Sequence, residues 1–512
     1  MRRRMQHLWF TRRWALLFIS VLLGVAISCS EGVVTSEGAR AALPSHVKAV
    51  ADGNRPMPGT VSPEVLMSQF AELLYEYGDF SDEAPATLVR YDPAPIGVVD
   101  APVAQISIDQ AIEETRLLFA VLKYGYAGYR FFGGDEAFGA ARESILSRIG
   151  RDTGFIATEE LLELMVDCLG FVQDGHFAIG SRALCKRFRL YADFSIEFVR
   201  NDKGEFVAID GRTLARVDSC IPSDYMKASI SGAGDIVYVP GLLVPSDAQS
   251  AGIVLEFGDG SRQSVQLSPV RSETPETRGL PYELTDLEGI PLAKCRAFLP
   301  VGDSRESMDM FVRDAERLWY ESVVILDLRS NRGGDEMFAK QWCLRLTLKN
   351  PGPLGAGAEL KTSTAMILRD NTKRRLGSGP EDGQRRSPPD PNNPGWSVIG
   401  QSSEVFAANK PVLVVLMDSY CASATEGLID YLRHMDNVVF MGINTSGAYQ
   451  TGNVGMFVLP YSRLGVWVPT LLKLNASGTS IDGIGFLPDF WVAPECILER
   501  AAAFIRRHLL SS

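Results

Sequence analysis

"PVLVVLMDSYCASATEGLIDYLRHM", residues 411–435, decides the fold. Pro411 to Met417 is an unbroken apolar run, the pattern of a strand buried on both faces. Thr425, Leu428, Ile429 and Leu432 then recur at helical spacing. The turn between them sets Ser423 between Ala422 and Ala424, with its hydroxyl exposed and the next backbone N–H free. That geometry suits a nucleophile, although an ordinary helix-capping serine has the same local pattern. The unit has neighbours. "RAFLPV" (296–301) reads as a strand, and Met308, Phe311, Val312, Ala315 and Leu318 mark a helix. "SVVILDL" (322–328) is a second buried strand, followed by "RSNRGGD" (329–335) and another helix, and "NVVFMG" (437–442) is a further strand. Such alternation implies an α/β region with a largely parallel sheet, whose ligand site lies off the carboxyl ends of the strands. Both "RSNRGGD" and "SYCASATE" fall at such ends.

With 46% hydrophobic and 22% charged residues over 512 positions, the chain reads as globular and as two to four domains or subdomains. The first 29 residues combine a basic start (Arg2, Arg3, Arg4, Arg12, Arg13) with an apolar stretch from Ala15 to Ile27. This is the pattern of a secretory signal, short of the ~20 apolar residues of a spanning helix. Ala26-Ile27-Ser28-Cys29 resembles a bacterial lipobox, so Cys29 is the expected lipidation site, and an exported, envelope-anchored protein is expected. Removing residues 1–28 takes five arginines and no acids, which moves the net charge from −11 to −16. So acidic a body excludes nucleic acid as a partner held by net field. No Cys-x-x-Cys pair occurs, and neither a metal nor a cofactor is expected. Cys168 and Cys185 form one conceivable disulfide, with buried free thiols as the alternative.

Residues 30–60 are small and polar and read as a flexible tether. Residues 61–180 read as a helical domain. Pro63 begins one helix, Ser107 with Gln110 opens a second, Phe138, Ala141, Ile145 and Ile149 line a third, and Thr158 caps a fourth. The aromatic run "YGYAGYRFF" (124–132) reads as helix packing. The fourth helix leads into Asp174-Gly175-His176, a turn that presents one of only five histidines. Of the other four, only His434 lies in the folded body, and at eleven residues beyond Ser423 on one helix it is roughly 16 Å away. Residues 181–290 alternate with period two and carry turns at "NDKG" and "GDG", an antiparallel β subdomain. Residues 291–512 form the catalytic domain, interrupted by a long Pro-, Gly- and charge-rich loop insertion at 350–402, within which Arg374 to Pro394 reads as disorder or a gating lid.

Acyl transfer needs a nucleophile, a base, an orienting acid and oxyanion donors. Ser423 and His176 fill the first two roles. The amides of Ala424 and of Gly333 or Gly334 suit the oxyanion, because a Gly-Gly turn lets backbone approach a substrate carbonyl. Cys421 is a rival nucleophile, placed two residues before the alanine-flanked position.

Together, "VVILDLRSNRGGD", "PVLVVLMDSYCASATEGL", "VVFMGINTSGAYQTG" and "SGTSIDGIGFLPDF", in that order, resemble the tail-specific, or C-terminal processing, serine peptidases and their relative the tricorn core protease. The helical leader ending in "DGHF" is similar to that of the histidine-using members. The resemblance implies a crotonase/Clp-like catalytic domain, Ser423 as nucleophile and a peptide or protein substrate. It departs from the Ser-Lys members at Ala448, which occupies the lysine slot of "GINTSGA"; Lys473 reads as a strand residue. The resemblance therefore implies His176 as base and points to Asp482 as the supporting acid, with Glu426 and Asp174 as rivals. A PDZ module is not recognisable in residues 181–290. The alternatives are a catalytically inactive peptide-binding envelope lipoprotein of the same fold, and a crotonase-like acyl-CoA enzyme, which export argues against.

Overall fold

The computed structural model describes residues 42–54, 63–74, 83–90, 101–149, 154–272, 279–299, 304–347, 355–375, 395–399, 411–475 and 480–510. All of them lie in one compact unit, Ala41–Ser512. The signal and Cys29 fall outside the described residues. Among the described residues no helix is long and apolar enough to cross a membrane.

The apolar runs form a six-stranded sheet in the order Tyr282–Leu287, Ile290–Cys295, Val323–Asp327, Val412–Met417, Val438–Gly442, Phe490–Trp491. The first pair is antiparallel and every later pair parallel. Every residue of Val323–Asp327, Val412–Met417 and Val438–Gly442 is buried, as a sheet covered on both faces requires. Helices Ser304–Leu318, Glu336–Thr347 and Ala424–Arg433 contribute buried residues to the core on one face, and helix Ile497–His508 to the core on the other. The "RAFLPV" strand is displaced toward the N-terminus. The ladder uses Ile290–Cys295, and the chain then leaves the sheet so that Phe298 bridges Gly334.

A second sheet is antiparallel, in the order Trp396–Ile399, Gly355–Leu360, Gly465–Asn475, Ala178–Ile179, Arg182–Ala183, with Thr451–Val458 added to Gly465–Asn475. It corrects the reading of 350–402 as one long loop, while all but the first two residues of Arg374–Pro394, the part expected to be disorder or a lid, lie outside the described residues. Gly355–Leu360 and Trp396–Ile399 are paired strands, and Ser363–Arg375 is a helix that buries Ala365 and Leu368. Alanine and glycine at 355–358 carry little intrinsic strand preference, and long-range pairing overrides it. Residues 376–394 fall outside the described residues.

Residues 188–269 build an antiparallel eight-stranded sheet, and helices Ile108–Gly125, Gly134–Ile149 and Thr158–Cys168 precede it. Ser107 and Gln110 close a reciprocal capping box. Thr158 is not a cap: Ala157 takes that position and the Thr158 hydroxyl is buried without a partner. Part of the expected tether is ordered. Val47 and Ala51 are buried along helix Ser45–Asn54, and Val47, with Leu43 just before the helix, joins a core that includes Ile497 and Phe504. Cys168 and Cys185 are both free thiols, so that disulfide is absent; the Cys168 thiol donates to Ser144 Oγ instead (3.4 Å).

Candidate active site

The Ser423 turn is tied to the "RSNRGGD" loop. Buried Asp418 accepts the amides of Ser330 (3.1 Å) and Tyr420 (3.0 Å), and the Ala422 amide donates to the Asn331 carbonyl (3.2 Å). Ser423 has φ 57° and ψ −120°, a sparsely populated conformation for a residue with a Cβ. Such local strain is held only where the surroundings over-determine it, and it accumulates at functional turns. Here the Ser423 amide donates to both the Ala448 carbonyl and Glu426 Oε2, each at 3.2 Å. Cys421 is a poor nucleophile. It is wholly buried, its thiol donates to the Leu328 carbonyl (3.1 Å), and burial pushes its pKa far up.

Gly333 lies directly against this turn: a Cβ there would stand 2.7 Å from the Ala422 carbonyl oxygen and 2.9 Å from the Ala424 nitrogen. The Gly333 amide itself donates to Asn331 Oδ1 (2.9 Å). The amides of Gly334 and Ala424 have no hydrogen-bond partner among the described residues. Of the three expected oxyanion donors, two are therefore open and one is engaged.

His176 comes from the other side of the molecule. Strand Ala178–Ile179, just beyond it, pairs with Val466 and Trp467 and so fixes the turn in the second sheet. Gly175 packs on Ala448. A Cβ at 175 would lie 2.4 Å from the Gly447 carbonyl oxygen and 2.7 Å from Ala448 Cβ, so the histidine turn fills the space beside the position where Ser-Lys enzymes carry a lysine. Ala448 thus joins the two halves, touching Gly175 with its side chain and holding the Ser423 amide with its carbonyl. His176 Nε2 is buried and unpartnered, while Nδ1 lies 3.5 Å from Thr451 Oγ1. Burial pushes the His176 pKa down to about 4, with Asp482 opposing and Lys473 and Arg187 reinforcing that direction.

Each of the three carboxylates named from sequence has a definite place. Asp482 accepts the amides of Gly175 (2.9 Å), Tyr449 (2.8 Å) and Gln450 (2.8 Å), which clamps the histidine turn to the 447–450 loop. Glu426 is wholly buried and accepts Thr445 Oγ1 (2.6 Å) and the amides of Gly447 and Ala448 (both 2.8 Å) besides that of Ser423. Burial raises its pKa to about 7 against those hydrogen bonds. Asp174 accepts the His176 amide (2.8 Å) and Thr451 Oγ1 (2.7 Å) on one oxygen and Tyr126 Oη (2.7 Å) on the other. Its pKa too is raised, chiefly by burial. Lys473 is committed elsewhere, to Glu336 (3.2 Å). His434 caps the nucleophile helix, 3.8 Å from Asp430.

Sequence reading missed Thr451 and Tyr126. Both were inside stretches singled out for other reasons, the "SGAYQTG" motif and the aromatic run, and in each the hydroxyl was the available signal. Among the described residues no group of three or more His, Cys, Asp and Glu is arranged to hold a metal ion.

Residues 294–492 match the model of Peptidase family S41. The Ser423 turn, the Gly-Gly turn and Asp482 fall within the match, and His176 lies before it. No curated protein matches the chain. Among solved structures it is similar to mature CPAF, at 13% identity over 79% of this chain and 98% of that one, with a TM-score of 0.39. It is similar also to the photosystem II D1 C-terminal processing protease, at 16% identity over 76% and 93%, TM-score 0.33. The tricorn protease matches at 12% identity over 76% and 35%, TM-score 0.31. The segment that carries the Ser423 and Gly-Gly turns, residues 294–492, is thus similar to the serine peptidases of family S41 and supports a serine peptidase.

Proposed function

We propose that the chain is an exported serine endopeptidase, anchored through Cys29, in which Ser423 attacks the peptide carbonyl and His176 is the general base. The observation that carries the reading is the junction at Ala448, where Gly175, next to His176, and the strained Ser423 turn meet on one residue, while Nε2 of His176 is buried and has no hydrogen-bond partner among the described residues. The parallel sheet with both functional loops at its carboxyl ends accords with a crotonase/Clp-like catalytic domain. In the acylation step the Ser423 Oγ–carbonyl carbon bond forms as the Oγ proton passes to Nε2. Gly334 and Ala424 are the amides available to the oxyanion, and Nε2 returns its proton to the leaving amine. Asp482 acts by holding the histidine turn in place and by its negative charge near the ring. Neither role calls for the missing lysine.

The test is labelling of the purified full chain with a rhodamine fluorophosphonate, beside turnover of fluorescent casein. Ser423→Ala is expected to abolish labelling, and His176→Ala to slow it by roughly three orders of magnitude or more, as loss of a triad base does. Equal labelling of wild type and Ser423→Ala would overturn the serine assignment. A near-normal rate for His176→Ala would overturn the base. An inactive peptide-binding protein would show neither labelling nor turnover.

A further inference from the structure

We infer that Thr451 is a positioning residue that couples the buried Asp174 carboxylate to Nδ1 of His176 and so leaves Nε2 as the proton acceptor. The inference rests on the Ser423 and His176 reading above. Among the described residues Thr451 Oγ1 is the only polar group within hydrogen-bond distance of either ring nitrogen. The two other carboxylates are spent on other donors: Asp482 on three backbone amides, Glu426 on three amides and the Thr445 hydroxyl.

The tautomer follows from counting protons. A hydroxyl has one proton, and that of Thr451 points at Asp174 Oδ1 (2.7 Å), which can only accept when ionised. Toward the ring, then, the Thr451 oxygen offers a lone pair. A lone pair facing Nδ1 at 3.5 Å requires Nδ1 to carry the ring proton. Nε2 is then the bare nitrogen, which is the state a general base needs. Asp174 is pinned from three sides by Tyr126 Oη, the His176 amide and Thr451, so the relay starts from a fixed acceptor. Thr451 is equally fixed, as the first residue of strand Thr451–Val458, paired with Leu472 and buried. When Nε2 takes the Ser423 proton, the positive charge on the ring is stabilised through Nδ1–H, the Thr451 hydroxyl and Asp174. The 3.5 Å contact is long, as such contacts are before substrate tightens them.

Fluorophosphonate labelling of the full chain reads this step without a known substrate. The Ser423 Oγ–phosphorus bond forms, the phosphorus–fluorine bond breaks with loss of fluoride, and Nε2 takes the Oγ proton. Thr451→Val keeps the shape and removes the relay, so its limiting labelling rate is expected to fall on the order of 100-fold, the low end of what a positioned base contributes, with half-saturation within about twofold. Thr451→Ser restores the hydroxyl and is expected to recover most of the rate. The acid limb of the rate should lie at lower pH in Thr451→Val than in wild type, because the charged ring has lost its acceptor. A Thr451→Val protein with wild-type rate and an unmoved limb overturns the inference, as does a loss in Thr451→Val that Thr451→Ser does not relieve while both melt with the wild type. Labelling of a Ser423→Ala control would locate the failure in the underlying serine assignment instead.

Discussion

At the scale of single residues, two groups of the site titrate in opposite senses. The ordinary histidine value of ~6.5 would have activity fail near neutrality. Burial moves His176 to about 4, so the base stays neutral and the labelling rate is expected to hold until the pH approaches that value. The same shift acts on folding. Between pH 4 and 6.5 the unfolded chain binds a proton at His176 that the native state refuses, so this residue makes stability rise with pH across that window. Glu426 does the reverse. Its folded value of about 7 exceeds the ordinary 4.5, the native state holds the extra proton, and stability falls as pH rises between those values. Each effect is about 3 kcal/mol at full extent, and they nearly cancel where they overlap. Glu426→Gln should therefore make stability climb with pH relative to wild type between 4.5 and 6.5, and His176→Ala should make it drop. Urea denaturation at a series of pH values measures both slopes. Curves parallel to wild type in both variants would show that neither group titrates as its burial requires.

At the scale of elements, the two glycines at 333 and 334 serve different contacts and should separate by experiment. Gly334 has φ 136°, and a Cβ there would fall 2.0 Å from the Phe298 carbonyl oxygen, inside the bridge that ties the Ile290–Cys295 strand exit to the loop. Backbone is on both sides of that clash, so Gly334→Ala should cost stability by a few kcal/mol or more. Gly333 has φ 96° and meets the Ser423 turn instead. Gly333→Ala should displace the nucleophile, losing labelling by roughly 100-fold with the smaller drop in melting temperature. Equal melting temperatures for the two variants would refute this division. What could be read of these elements before folding follows the same physics. The parallel strands were legible because burial on both faces leaves only apolar residues. The serine turn and the Gly-Gly turn were legible because they fall at strand ends. Thr451 was not, since a threonine opening a strand is what any sheet accepts, and its role appears only when Asp174 and His176 are brought beside it. Strand Gly355–Leu360 was missed because its glycine and alanine carry little strand preference, and its pairing with Gly465–Asn475 is a long-range contact that local preference does not register.

At the scale of the whole molecule, three regions were expected from changes of period along the chain, and the cores do not respect them. One apolar cluster joins Leu118, Phe138 and Leu161 of the early helices to Ala358, Leu368, Val468 and Leu472. Another joins Ala228 and Ile230 of the eight-stranded sheet to Ile325 and Val414 of the parallel one. Strand Ala178–Ile179 pairs with Gly465–Asn475, a strand nearly three hundred positions later in sequence. Period and composition report which face of an element is apolar, not which distant element covers it, and so the sharing of cores was hidden. It also explains how the proposed base can come from outside the family-matched segment, since the Gly175-His176 turn is held by contacts to that segment at Ala448, Thr451 and Asp482. Elements that share a core unfold together, because exposing one face strips the other. Calorimetry of the full chain is thus expected to give one transition for the described body, with matching calorimetric and van't Hoff enthalpies. A fragment starting at residue 279 retains Ser423 yet lacks both covering surfaces and the proposed base, and it should show no cooperative transition and no fluorophosphonate labelling. Two resolved transitions in the full chain, or a fragment that melts sharply and labels, would establish that the catalytic region stands alone and that His176 is not required.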